Sequence, residues 1–346
     1  SNGPTTAYFV TMAASLPSFR LMRKREHPFT QPGKIIYARG LSACTRPGSA
    51  VPQNDVASAR APGPVERPAG RLTIAQAQRY MLVLINRDRA SMGLAPVQID
   101  EGAPTRAGLR HAQDMARLGY LGHYGSDGSV PEQRMTEAGG ADMVLENASC
   151  YTDERARALD PTPTIDPVHI ERAEAMFFDE QPPHDGHRKN ILGRWHTHVG
   201  IGVAQPLGKA TEIPVPCIAQ EFADAYGTYS PIAREAPVGS TLRVEGTLSA
   251  PARFAAVGFA RAKVPGPLPV AEANRRRTYP VPTPSRVYWP TGTETAVAVR
   301  VAGTHFTIQV PVAESRQRGL YEVSVWAYLP GSEEAAMVSL RTVLVL

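Results

Sequence analysis

The spacing of apolar residues changes once along this chain, and that change limits what the chain can fold into. Between Thr73 and about Gln181 apolar residues recur at helical spacing; after about Tyr226 they alternate. Ile74, Ala77, Met81, Leu84 and Ile85 fall on one face of a helix that Thr73 and Gln76 open as a capping box and Gly93 ends. A second helix is expected from about Ala103 to Leu118, with Ala112, Met115 and Ala116 on one face and Gly108 as its weak point. Asp166 before Pro167 opens a third, with an apolar face of Ile170, Ala173 and Phe177. Pro182-Pro183 ends that helix by Gln181. Alternation then marks strands at His196–Val203 and Ile213–Phe222. The order helix, helix, loop, helix, strand, strand predicts an α+β unit in which helices cover an antiparallel sheet.

Beyond Tyr226 helical spacing disappears. Leu242–Gly246, Ala256–Phe259, Ala296–Val299, Phe306–Val310, Tyr321–Trp326 and Met337–Leu346 alternate between Gly/Pro breaks, which predicts an all-β, immunoglobulin-like sandwich. The expected units are therefore 71–226 and 227–346, behind a tail of residues 1–70. That tail holds nine Pro, six Gly and nine Lys/Arg against three Asp/Glu, whereas the rest of the chain has 28 basic and 29 acidic residues. The net charge of +5 thus belongs to the tail. With little apolar surface to offset chain entropy, the tail is expected to be disordered. Its scattered arginines lack aromatic interleaving, so nucleic acid is not an expected partner. No apolar run reaches the ~18 residues of a transmembrane segment. Leu41-Ser42-Ala43-Cys44 has the form of a lipoprotein cleavage box, but Gln31–Gly40 before it is too short and polar for a signal peptide.

The residue types that carry chemistry sit in four segments. His123 lies in Gly122-His123-Tyr124-Gly125, Glu146 in Glu146-Asn147-Ala148-Ser149, and Asp179-Glu180 follows the third helix. His187 lies in Gly186-His187-Arg188-Lys189-Asn190-Ile191-Leu192. Two imidazoles and two acids can line one polar cleft. There they would ligate a Zn-like divalent cation, with the carboxylates ligating or orienting the rings. Without metal, the carboxylates would raise the histidine pKa values and hold a hydrogen-bonded cluster. The plainer alternative is solvated loop histidines and surface acids. His184 stands three residues before His187, a spacing that can clamp a metal, but is read as solvent-facing; His196 and His198 share one side of a strand, which also suits a metal, but are read as exposed at an edge. Asp127 and Asp185, each before a glycine, are read as turn residues. No His-Glu-x-x-His helix or Gly-x-Ser-x-Gly elbow is present. Cys150 stands four residues after Glu146 with no sign of activation. The cysteines are Cys44, Cys150 and Cys217, without a CxxC pair. Cys150 and Cys217 fall in one predicted unit, either as a disulfide in an oxidising compartment or as buried thiols.

These segments, in their order, resemble the CAP superfamily of cysteine-rich secretory proteins, antigen 5 and pathogenesis-related 1 proteins (the SCP domain), in its bacterial branch. The resemblance rests on Asn86-Arg87-Asp88-Arg89-Ala90 with Gly93-Leu94-Ala95-Pro96, and on His111-Ala112-Gln113-Asp114-Met115-Ala116 with Gly122-His123. Glu146-Asn147-Ala148-Ser149, Gly186–Leu192 and Val199-Gly200-Ile201-Gly202-Val203 complete it, over about residues 73–225. It implies an α-β-α sandwich with a cleft tetrad of His123, Glu146, His187 and one acid at the end of the third helix. Neighbours on a helix diverge by about 100°, so only one of Asp179 and Glu180 can face the cleft. Glu180 is the expected member and Asp179 the alternative. The resemblance also implies an extracellular or cell-envelope location. It implies a non-enzymatic role, with His123 and His187 on a divalent cation and a lipid or other small apolar ligand nearby. The alternatives are a metal-assisted extracellular hydrolase with Glu146 or Glu180 as base, and an adhesive protein whose C-terminal sandwich binds a cell-surface component. Fold cannot choose among them, because function belongs to the site.

Overall fold

The computed structural model describes residues 63–208, 215–312 and 317–346, together with the backbone of 8–11. The box at Leu41–Cys44, most of the 1–70 tail and Ile213-Pro214 lie outside the described residues. The first sheet has the order β1 (Tyr8–Thr11), β3 (Met143–Cys150), β5 (Cys217–Asp224), β4 (His198–Ala204), β2 (Gln98–Ile99). It is mixed rather than antiparallel as expected, because β2 pairs parallel with β4. A parallel pair needs a long crossover. The whole stretch between β2 and β4 supplies it: α2 (Ala103–Leu118), α3 (Pro131–Glu137), β3, α4 (Pro167–Phe178) and α5 (Gly186–Ile191).

Helices cover both faces of this sheet. On one face α1 (Ile74–Ser91) packs Ala77, Met81, Leu84 and Ile85 with Ile170, Ala173 and Phe177 of α4 against Val199, Ile201, Val203, Ile218 and Phe222. Thr73 caps α1 with both bonds of the capping box. Described tail residues join this layer: Val65 packs against the same core, and Arg67 bonds Glu171. On the other face α2 sets Ala112, Met115 and Ala116 against Ala148, Cys150, Ala204 and Cys217. A disulfide joins Cys150, ending β3, to Cys217, opening β5. Gly108, the expected weak point of α2, is the contact that lets it approach the sheet. A Cβ on Gly202 of β4 would lie 2.1 Å from the Gly108 carbonyl carbon.

The C-terminal part is rich in sheet. One sheet has the order β10 (Arg286–Tyr288), β9 (Arg253–Arg261), β13 (Gly319–Tyr328), β14 (Ala335–Val345), β7 (Glu235–Ala236). The other runs β11 (Arg300–Ala302), β12 (His305–Pro311), β8 (Thr241–Leu248), β6 (Gly227–Tyr229). They share a core of Val257, Phe259, Val323, Val325 and Val343 with Val244, Phe306, Ile308 and Val310. Two expectations fail here. Ala296–Ala298 form no strand, and Val299 makes only an isolated bridge with Pro290. Four small alternating residues bury too little, and Val297 stays exposed. A short helix, α6 (Val270–Arg275), also interrupts the alternation, because Ala273 is buried in the α2 layer of the first sheet. The five-stranded sheet turns its second face to the first unit. Leu320, Trp326, Met337 and Leu340 pack with Val130, Met143 and Leu145, and the Thr342 amide donates to Thr136 Oγ1 at 3.1 Å.

Candidate functional site: a buried histidine and acid cleft

Alternation along β3 builds the site from both faces of its sheet. Glu146 points to the α2 and α3 side, and Asn147 to the α4 and α5 side. Glu146 Oε1 lies 2.8 Å from His123 Nδ1. Arg134 of α3 donates through Nη2 to Glu146 Oε2 at 2.7 Å. The same guanidinium donates to the His123 carbonyl at 3.2 Å and the Ser129 carbonyl at 2.9 Å. His111 of α2 contacts the Gly122 carbonyl through Nε2 at 2.7 Å, and that nitrogen stands 3.6 Å from Glu146. Across the strand, His187 of α5 has Nδ1 2.6 Å from Glu180 Oε1, and its backbone N–H donates to Glu180 Oε2 at 2.8 Å. Asp179 is the C-cap of α4 and is exposed.

A ladder of buried amides holds the α5 side. Asn190 Nδ2 donates to Asn147 Oδ1 at 2.9 Å, Asn147 Nδ2 to Gln220 Oε1 at 3.0 Å, and Gln220 Nε2 to Glu174 Oε2 at 2.6 Å. His123, Glu146 and His187 are fully buried.

Burial dominates the electrostatics. It pushes the Glu146 carboxyl up, but Arg134, His111 and His123 together hold it well below the ordinary carboxylate range. For His187, burial lowers the pKa by more than Glu180 raises it, so the expected rise does not occur there. Burial and then Arg134 bring His111 down to about 4, against the pull of Glu146. Glu221, paired with Glu146 across β3 and β5, is raised well above its ordinary range by burial and by the Glu146 charge. Both histidines turn Nδ1 to a carboxylate, and Nε2 of each is buried without a hydrogen-bond partner. If Nδ1 carries the proton given to the acid, Nε2 carries a lone pair.

Sequence reasoning missed several of these groups. Arg134 could have been approached through Pro131, a first-turn proline opening α3, but nothing local links it to Glu146. Glu221, Gln220 and the role of Asn147 depend on the pairing of β3 with β5. Other candidates lie apart from the site. His184 is exposed. His196 is buried rather than exposed, with Nδ1 2.6 Å from Asp224 and its ring stacked on Phe222, because it precedes β4 and turns under the sheet. His198 is half-buried beside Thr197. Asp127 pairs with Arg110, and Asp185 with Lys189. Among the described residues no group of three or more His, Cys, Asp or Glu side chains converges as a ready-made metal site.

This arrangement defines a class: a helix-covered mixed sheet in which strand β3, between β1 and β5, is flanked by two buried histidine–carboxylate pairs. Residues 82–206 match the family model described as Cysteine-rich secretory protein family, and the chain therefore carries a domain of the CAP superfamily. No curated protein matches the chain significantly. Among solved structures, a chitin binding domain from Burkholderia pseudomallei aligns at 10% identity and a TM-score of 0.22, over 33% of this chain and 57% of that one.

Proposed function

We propose that the CAP domain is a non-enzymatic binding module whose cleft takes a divalent cation at His123 and His187. One observation carries this reading: each ring is oriented by a carboxylate on Nδ1 while a buried Nε2 is left without a partner. An unpartnered buried nitrogen costs free energy, and the carboxylate–histidine arrangement is the one that orients metal-bound imidazoles. With two protein nitrogens, the remaining coordination positions belong to water or to a ligand. Zinc titration calorimetry on wild type, His123→Ala and His187→Ala tests the reading. Uptake is expected in wild type and lost in both variants; equal uptake by all three rejects it.

The hydrolase alternative needs Glu146 or Glu180 as base, and both carboxylates already accept hydrogen bonds, Glu146 from Arg134 and Glu180 from the His187 backbone; Cys150 offers no thiolate either, its sulfur being held in the disulfide. The same preparation, assayed with zinc on peptide and ester substrates, is expected to show no turnover; turnover abolished by His187→Ala would replace the binding reading. An extracellular or cell-envelope location is supported by the disulfide, which persists in oxidising compartments. Among the described residues no helix is long and apolar enough to cross a membrane. The two C-terminal sheets over one core support an immunoglobulin-like sandwich. Its apolar pocket, lined by Ala255, Val287, Trp289, Trp326 and Tyr328, is only ≈ 10 Å³, room for about one water, so that pocket holds no lipid. Adhesion to a cell-surface component is favoured by an open polar groove of ≈ 380 Å³ along Arg243, Arg300, Thr307 and Gln309.

A further inference from the structure

Three buried groups meet where the C-terminal sheet faces α3. Glu132 comes from α3, Glu322 from β13 and Tyr279 from the segment between α6 and β10, with exposures of 0%, 2% and 3%. The Tyr279 hydroxyl contacts Glu132 Oε1 and lies 2.9 Å from Glu322 Oε1. A phenol has one proton to donate. It can serve one of these carboxyl oxygens, so the second contact is a hydrogen bond only if that carboxyl carries a proton of its own. The other oxygens, Glu132 Oε2 and Glu322 Oε2, are buried without a protein hydrogen-bond partner, so no protein donor stabilises a second negative charge there.

We propose that Glu132, Tyr279 and Glu322 form a proton-held latch that fastens the C-terminal sheet to α3, and that alkaline pH releases it. Burial pushes the Glu132 carboxyl up, and burial together with the Glu132 charge pushes Glu322 up. The charged or titratable groups that face the trio are Arg134 from α3, Tyr124 from the loop before it and Glu221 from β5. Tyr124 packs edge-on against Tyr279, with ring centroids 5.3 Å apart. Arg134, whose charge acts on Glu132, directs its hydrogen bonds to Glu146 and to the His123 and Ser129 carbonyls. Beside Glu322, β9 and β14 place Ala260 and Thr342, neither of which titrates. The latch therefore depends on its own proton.

The sign follows from the raised carboxyls. The latch contributes fully below the ordinary glutamate range and loses its contribution as pH rises towards the raised folded-state values. Across that window, each pH unit moves the released-to-docked ratio about tenfold. Arg134 stands on the same seven-residue helix as Glu132, so the latch also links the C-terminal sheet to the Glu146 corner of the cleft. The inference does not depend on cation binding there.

Hydrogen exchange of the full chain tests it, with protection of Pro131–Glu137 and Gly319–Tyr328 corrected for the intrinsic pH dependence of exchange. Wild type is expected to lose protection steadily as pH rises above the ordinary glutamate range. Glu322→Gln, whose amide is a permanent donor to Tyr279, is expected to hold that protection level across the range. Glu132→Gln carries the same expectation if the first variant folds poorly. A wild type with flat protection, or variants that keep the wild-type slope, overturns the latch. So does alkaline protection that a chelator abolishes, because a cation would then be holding the acids together.

Discussion

His111 shows at the scale of one residue how burial sets the charge of this site. Its ring has no exposure and faces a guanidinium as well as a carboxylate. Its pKa falls from 6.5 to about 4, so on unfolding the chain takes up a proton between those limits. The stability this neutral histidine contributes is present above the unfolded pKa and is lost as pH falls towards the folded one. The slope is ~1.4 kcal/mol per pH unit over that window. Urea unfolding at a series of pH values is expected to show a shallower acid-side loss for His111→Gln than for wild type; parallel curves would assign the loss to other groups. The Glu180 position carries a second lesson at this scale. The expectation that only one of Asp179 and Glu180 faces the cleft assumed a helix continuing through both. α4 ends at Phe178, and Glu180 reaches His187 from the turn beyond it.

Between elements, the closest approach is that of α2 to β4. Gly108 and Gly202 face each other so tightly that a methyl group on Gly202 would meet backbone rather than a movable side chain. Overpacking of this kind costs about 3 kcal/mol. Gly202→Ala is expected to lower the urea midpoint with little change in slope; an unchanged midpoint would mean that α2 does not lie this close. The helix starts were legible because Thr73, Asp166 and Pro167 act on the first turn through local hydrogen bonds and a fixed φ. α3 and α5 were not legible: at seven and six residues they are too short for a spacing to show, and their contacts hold them in place. The mixed sheet was likewise hidden, since β2 has only two residues.

For the molecule as a whole, the two sheet systems share an apolar layer. Val130, Met143 and Leu145 of the first unit are covered by Leu320, Trp326, Met337 and Leu340 of the C-terminal sheet. The Ser339 hydroxyl bonds the Ala141 carbonyl, and Arg234 Nη2 donates to the Glu137 carbonyl at 3.0 Å. Calorimetry of the full chain is therefore expected to give one cooperative transition, with calorimetric and van't Hoff enthalpies in agreement. Two resolved transitions would show that this shared layer contributes little.

Local chemistry alone determined the three long helices, the change to alternation after Tyr226, and the histidines and acids available for a cleft. Caps, prolines and apolar spacing act over one or two turns, so they can be read from neighbours in the chain. Tertiary structure decided the rest. It placed Arg134 and Glu221 beside Glu146, buried His123 and His187, and joined Glu132 to Glu322 through Tyr279. Those outcomes depend on strand register and on exclusion of water by segments distant in sequence, and no short-range pattern encodes either one.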